Sequence, residues 1–126
     1  MKYLSLAEAL VVAEAVTGID AIILIRGPRI DLLDSALHAP QAEFGDQELY
    51  PELIDKAAVL AVRIAKNHPL LDGNKRLAWG CLNMFLILNG HQLEVSVEEA
   101  VSIMLGVAAG EVDESAMAAW LDQRVS

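Results

Sequence analysis

His68-Pro69-Leu70-Leu71-Asp72-Gly73-Asn74-Lys75-Arg76 separates a long helical pattern from the apolar run Leu77 to Leu88, and the way it turns decides the fold. Pro69 disfavours helical backbone at His68, so a helix arriving from upstream stops there. Asp72-Gly73 is a turn dipeptide, with Gly73 free to take the positive φ of a sharp reversal. The run that follows, from Leu77 and Trp79 through Phe85 to Leu88, ends at the stop signal Asn89-Gly90. It is apolar on nearly every face, which predicts a helix buried at the centre of one domain.

The loop delivers Asn74, Lys75 and Arg76 into the first turn of that helix. A helix start has unpaired N–H groups and the positive end of the helix dipole, so Lys75 and Arg76 have the wrong sign for stability alone. A bound anion such as phosphate reverses the penalty. The charge map agrees. The 126-residue chain has net charge −9, yet Lys56 to Arg76 holds Lys56, Arg63, Lys66, Lys75 and Arg76 against Asp72 alone, a segment charge of +4 that leaves −13 elsewhere. An isolated basic site in an acidic chain suits a small anionic ligand, not a nucleic-acid backbone, which calls for a broad basic face.

His68 and Asp72 complete the chemistry. An imidazole titrating near neutrality can take the proton of an attacking hydroxyl, and a carboxylate four residues on can hold Mg²⁺ against phosphate oxygens. With Lys75 and Arg76 these are the components of phosphoryl or nucleotidyl transfer. A plain connecting turn would account for His68 as a cap and for Asp72-Gly73, but not for cations at the start of the helix. A P-loop is excluded, because Gly73-Asn74-Lys75-Arg76 lacks the preceding glycine spacing and a Ser or Thr after the lysine.

The nonapeptide resembles the motif H-P-F-x-[DE]-G-N-[GK]-R of the Fic/Doc family, and Lys after Asn resembles its Doc branch. The resemblance extends through Gly27 to Gly45, Tyr50-Pro51 and Asn89-Gly90, and so covers most of the chain. It departs at Leu70, where the motif has Phe, and at Gly80, where some Doc proteins place an Asn facing the nucleotide. The resemblance implies an all-α, single-domain Fic fold over residues 1–126, about six helices around a central buried helix. It implies a toxin of the Phd–Doc toxin–antitoxin type, a kinase that uses ATP and Mg²⁺ to phosphorylate elongation factor Tu and so arrests translation. His68, Asp72 and Arg76 are then catalytic, Asp72 holds the metal, and Lys66, Gly73, Asn74, Lys75 and Arg76 bind the nucleotide. The implied partner is the C-terminal tail of a Phd-like antitoxin. In the wider family Gly follows the Asn and the group transferred is AMP, which is the alternative activity. A catalytically silent partner-binding module would have lost His68 or Asp72, and both are present.

The composition fits one core. The chain is 55% hydrophobic with a mean hydropathy of +0.40, high enough that some apolar surface is expected to meet a partner. No apolar run reaches the roughly 18 residues of a membrane span. The start, Met1-Lys2-Tyr3-Leu4-Ser5, lacks the design of a signal peptide, and Cys81 has no cysteine to pair with, so a reducing cytoplasm is expected.

Ser5-Leu6-Ala7-Glu8 is a capping box that opens a helix to about Thr17. Ala21 to Ile25 reads as a buried connection, and Ile30 to about His38 as a short helix with Leu32, Leu33 and Leu37 inward. Gln41 to Leu49 is polar and turn-rich, and in Fic proteins this segment is a flap that receives the target chain. Pro51 opens a helix to Asn67 that buries Leu53, Ala57, Leu60 and Ile64 and carries Lys56, Arg63 and Lys66 on its other faces. His91 to Val95 is an extended link. Ser96 caps a helix that buries Val97, Val101, Met104 and Ala108, and Asp113 starts a last helix with Met117, Trp120 and Leu121 on one face. His38 and His91 stand apart from other ligand residues and predict no metal site.

Overall fold

The structure, a computed structural model, describes residues 1–126 as seven α-helices and one small hairpin. The helices are α1 (Leu6–Thr17), α2 (Ala21–Leu24), α3 (Ile30–His38), α4 (Leu53–Asn67), α5 (Asn74–Leu88), α6 (Val97–Ala108) and α7 (Glu114–Asp122). The all-α expectation holds, and its starts are set by local chemistry. Ser5 and Glu8 exchange side chain-to-backbone hydrogen bonds at α1, Ser96 and Glu99 do the same at α6, and the Asp113 carboxylate accepts from the Ala116 N–H at α7. Pro51 lies just ahead of the cap residue Glu52 and not within the first turn of α4.

The centre of the molecule is α4, not the α5 run. Residues Lys56 to Val62, Ile64 and Ala65 are all buried, whereas α5 buries one broad face, Leu77, Ala78, Cys81, Leu82, Phe85 and Leu86. Around α4 pack α3, the 3₁₀ turn Ala39–Gln41, α5, α6 and α7, while α5 meets α1, α4 and α6. The physical reason lies in side-chain size. Ala57, Ala58, Ala61 and Ala65 let neighbours approach α4 from all sides, while Lys75, Arg76 and Ile87 turn one side of α5 to water. Each fully buried leucine at the α4–α5 contact (Leu60, Leu77, Leu82, Leu86) contributes about 1.5–3 kcal/mol of transfer free energy. Cys81, wholly enclosed in this core, has its thiol pushed up to about 12 by burial and is chemically inert there.

Three further expectations need correction. Ala21 to Ile25 is not a buried connection: α2 is one helical turn capped by Asp20, and Ile22, Ile23 and Ile25 are exposed. On α6 the inward face is Ile103, Met104 and Val107, and Val97, Val101 and Ala108 lie outside. Only Met104 of the expected set is buried, because the apolar residues of α6 cover more than one face and the sequence pattern leaves the choice open. Lys56 does not decorate a solvent face but is 1% exposed, its Nζ donating to the Pro40 carbonyl (3.0 Å) and to Glu48 (2.9 Å) and lying 5.7 Å from the Tyr3 ring centre.

That lysine fastens the segment Gln41 to Leu49, which closes as a hairpin of β1 (Glu43–Phe44) and β2 (Gln47–Glu48), with Gly45 at positive φ in the turn. Burial draws the ammonium pKa down, but Glu48 and Tyr3 overcome that and leave it above the ordinary lysine value. A raised lysine pKa adds stability that is full below the unfolded-state value and lost as pH rises through the folded-state value. Lys56→Met should therefore cost about 1–3 kcal/mol, the scale of a lost hydrogen bond from a charged donor, and speed amide exchange in Glu43–Glu48. Its stability should also fall less steeply than wild type at strongly alkaline pH. Denaturant titrations at neutral and alkaline pH with hydrogen exchange check this, and an unchanged hairpin exchange rate would remove the tether.

Candidate functional site

The site is built at the junction of α4 and α5. Helix α4 ends at Asn67, and His68 takes a left-handed conformation (φ 48°, ψ 58°), the single non-glycine residue in the chain with positive φ. Gly73 is also left-handed, at φ 86°, and α5 starts directly after it. Two reversals within six residues bring the end of one buried helix to the start of another. The Asn74 side chain closes the loop between them: its Oδ1 accepts the Leu70 N–H and its Nδ2 donates to the Leu70 carbonyl, both at 2.9 Å. Its side chain is thus committed to the loop. What Asn74 presents outward is its backbone N–H.

No side chain caps α5. Its first helical hydrogen bond runs from the Leu77 N–H to the Gly73 carbonyl, so the N–H groups of Asn74, Lys75 and Arg76 precede the ladder. Lys75 and Arg76 are exposed and take no part in the protein's ion pairs, which are Lys56–Glu48, Arg63–Glu114, Arg124–Glu99 and a His38–Asp34 contact. Each unpaired cation in a first turn costs about 0.3–1 kcal/mol against the helix dipole.

Three depressions meet at Arg76. A notch of about 280 Å³ is lined by His68, Leu71, Asp72, Gly73, Asn74, Lys75, Arg76 and Ala108. On one side of it a cleft of about 470 Å³ runs between the Thr17–Arg29 segment and Pro69–Asp72. On the other an apolar groove of about 390 Å³ lies between α1, α5 and α6, with Val16, Trp79, Val101, Met104 and Leu105 in its walls. The structure therefore gathers His68, Asp72, Gly73, Asn74, Lys75 and Arg76 into one notch. Lys66 is not brought in: it is exposed on the last turn of α4 and lines none of the three. No residue of the hairpin lines these three depressions either.

Arg26 and Arg29 were not legible as site residues. Both line the larger cleft together with Asp72 and Arg76, which are 43 to 50 residues distant in sequence. The available signal was a pair of arginines around Gly27-Pro28 in an acidic chain. Gly80 faces the apolar groove, and a Cβ there would come within 2.6 Å of Val12 Cγ1. Close packing of α5 on α1 thus occupies the place where an asparagine side chain would start.

No three His, Cys, Asp or Glu side chains converge as a metal cage. Asp72 is exposed and free of ion pairs, which suits Mg²⁺, an ion commonly held by one or two carboxylates together with substrate phosphates. No helix is long and apolar enough to cross a membrane.

Comparison with known proteins gives two findings. The sequence profile of the Fic/DOC family matches residues 6–86, which includes α1 through most of α5 and the whole junction loop. The protein called Toxin Doc from Mycolicibacterium smegmatis is 45% identical over 92 residues, covering 71% of each chain.

Proposed function

The chain belongs to the Fic/Doc family, whose members are generally transferases, and from that premise we propose that it is the toxin of a toxin–antitoxin pair and a protein kinase. In this reading it moves the γ-phosphate of ATP to a hydroxyl, expected to be a threonine, of elongation factor Tu, and so inhibits translation. The observation that carries the phosphate chemistry is the start of α5: N–H groups ahead of the helical ladder, with Lys75 and Arg76 unpaired beside them. The relative's name supports the toxin reading. Lys75, where AMP-transferring members have glycine, supports the kinase reading over AMP transfer.

Each residue then has one task. His68 accepts the proton of the attacking hydroxyl as its oxygen bonds to phosphorus, and the breaking P–O bond leaves its electron pair on ADP. Lys75, Arg76 and the N–H groups of Asn74 to Arg76 hold the phosphate oxygens where negative charge grows. Asp72 would hold Mg²⁺, which supplies neutralisation of the phosphate charge. Gly73 lets the backbone turn sharply enough to place those N–H groups beside His68.

The apolar groove supports an antitoxin partner. Val101 and Leu105 are more than half exposed, and the groove continues past Gly80 toward Val11 and Ile87, which are also exposed. A Phd-like C-terminal tail that folds as an amphipathic helix on binding fits such a surface. Its path ends at Lys75 and Arg76, where an acidic side chain of the tail would block the phosphate site.

Two experiments test these readings. Incubation with elongation factor Tu and ATP labelled at the α or the γ position should transfer label from the γ position alone. His68→Ala should lower that rate by about 10² to 10⁴ with the fold intact. Transfer of label from the α position would replace the kinase by an AMP transferase. Separately, Val101→Asp with Leu105→Asp should leave transfer unchanged and abolish its inhibition by a peptide of the antitoxin tail. Full inhibition of that variant would place the tail elsewhere.

A further inference from the structure

We infer that Arg29 is a positioning residue for His68, acting through the Asn67–His68 peptide, an inference that rests on the assignment of His68 as the base. Left-handed backbone is unfavourable for a residue with a Cβ, and it persists only where the surroundings fix it. At His68 the fixing contacts come from far along the chain. Arg29 Nη2 donates to the Asn67 carbonyl at 2.7 Å, and Asn67 Nδ2 donates to the Leu32 carbonyl at 3.0 Å. Together they fasten the residue before His68 to the start of α3.

The peptide plane makes this a constraint on His68 itself. The Asn67 carbonyl and the His68 N–H belong to one rigid unit, so holding the carbonyl sets the rotation from which φ of His68 is measured. The carbonyl is also one of the four at the end of α4 with no partner inside the helix, and a guanidinium complements the negative end of the dipole. Downstream, the Asn74 side chain holds both backbone groups of Leu70. His68 and Pro69 thus span a gap pinned at Asn67 and at Leu70. Pro69 adds a fixed φ of its own. Without Arg29 the upstream pin loses its charged donor and the imidazole is free to swing from the notch.

Arg29 also lines the larger cleft, so a direct ligand contact is the competing role, and kinetics separate the two. If Arg29 positions, Arg29→Ala should lower kcat by on the order of 10²-fold with KM for ATP and for the acceptor unchanged, as expected for a small displacement of a catalytic group. Arg29→Lys, which keeps a cation at the helix end, should recover part of kcat. Asn67→Ala, which keeps the main-chain carbonyl for Arg29 but removes the side-chain bond to the Leu32 carbonyl, should lie between. A readout independent of chemistry is the three-bond coupling between His68 Hα and the Asn67 carbonyl carbon in the whole protein, which is large at positive φ and small at negative φ. It should move toward an averaged value in Arg29→Ala and return in Arg29→Lys.

A rise in KM with kcat intact, or an unaltered His68 coupling in Arg29→Ala, would overturn the inference. Should wild type transfer no phosphate while the coupling still responds to Arg29, the constraint stands and the kinase assignment falls. If Arg29→Ala fails to fold, the Arg29→Lys and Asn67→Ala pair decides by the same coupling and kcat.

Discussion

The double hydrogen bond between the Asn74 amide and the Leu70 backbone is the constraint on which the rest depends. Helices α4 and α5 are each buried along most of a face, and the loop between them must reverse the chain without exposing that interface. An open loop would let the two helix ends drift apart, and with them His68 at one end and Lys75 and Arg76 at the other. Closing it with a side chain from the first residue of α5 ties the geometry of the notch to the packing of the core. The candidate site residues thereby sit on backbone that the fold cannot easily relax.

Electrostatics explains why such a site is tolerated in an acidic protein. Two uncompensated cations at a helix start cost about 0.6–2 kcal/mol together, a real fraction of a small domain's net stability. The same turn offers a phosphate group both cations and N–H donors, and hydrogen bonds between charged groups are about twice as strong as neutral ones. The arrangement is poor for the fold alone and would favour a bound anion. Elsewhere the chain spends its charges on stability: Arg63 with Glu114 links α4 to α7, and Arg124 with Glu99 joins the segment after α7 to the start of α6.

Much of this was readable along the chain because caps and breakers act locally. Ser5, Ser96, Asp113 and Pro69 mark helix ends through contacts within a few residues, and the nonapeptide holds its candidate groups within nine residues of chain. What was hidden depends on contacts between distant residues. Lys56 reads as a solvent residue on any helical projection, and only the fold of the 3₁₀ turn and hairpin above it, with Tyr3 beside it, makes a polar pocket for its ammonium. The isoleucines of α2 read as core because they are apolar, yet a four-residue helix at the edge has nothing to cover them. Arg29 and Asn67 gave no sign of their pairing, which spans 38 residues.

The central claim is that the first turn of α5 is the phosphate site, and backbone amide NMR of the whole protein during titration with Mg²⁺ and a non-hydrolysable ATP analogue addresses it most directly. The account predicts that the largest shifts fall on the amides of Gly73, Asn74, Lys75 and Arg76, and that they saturate together. Saturating shifts confined to the α1–α5–α6 groove or to α2, with those four amides unmoved, would contradict it.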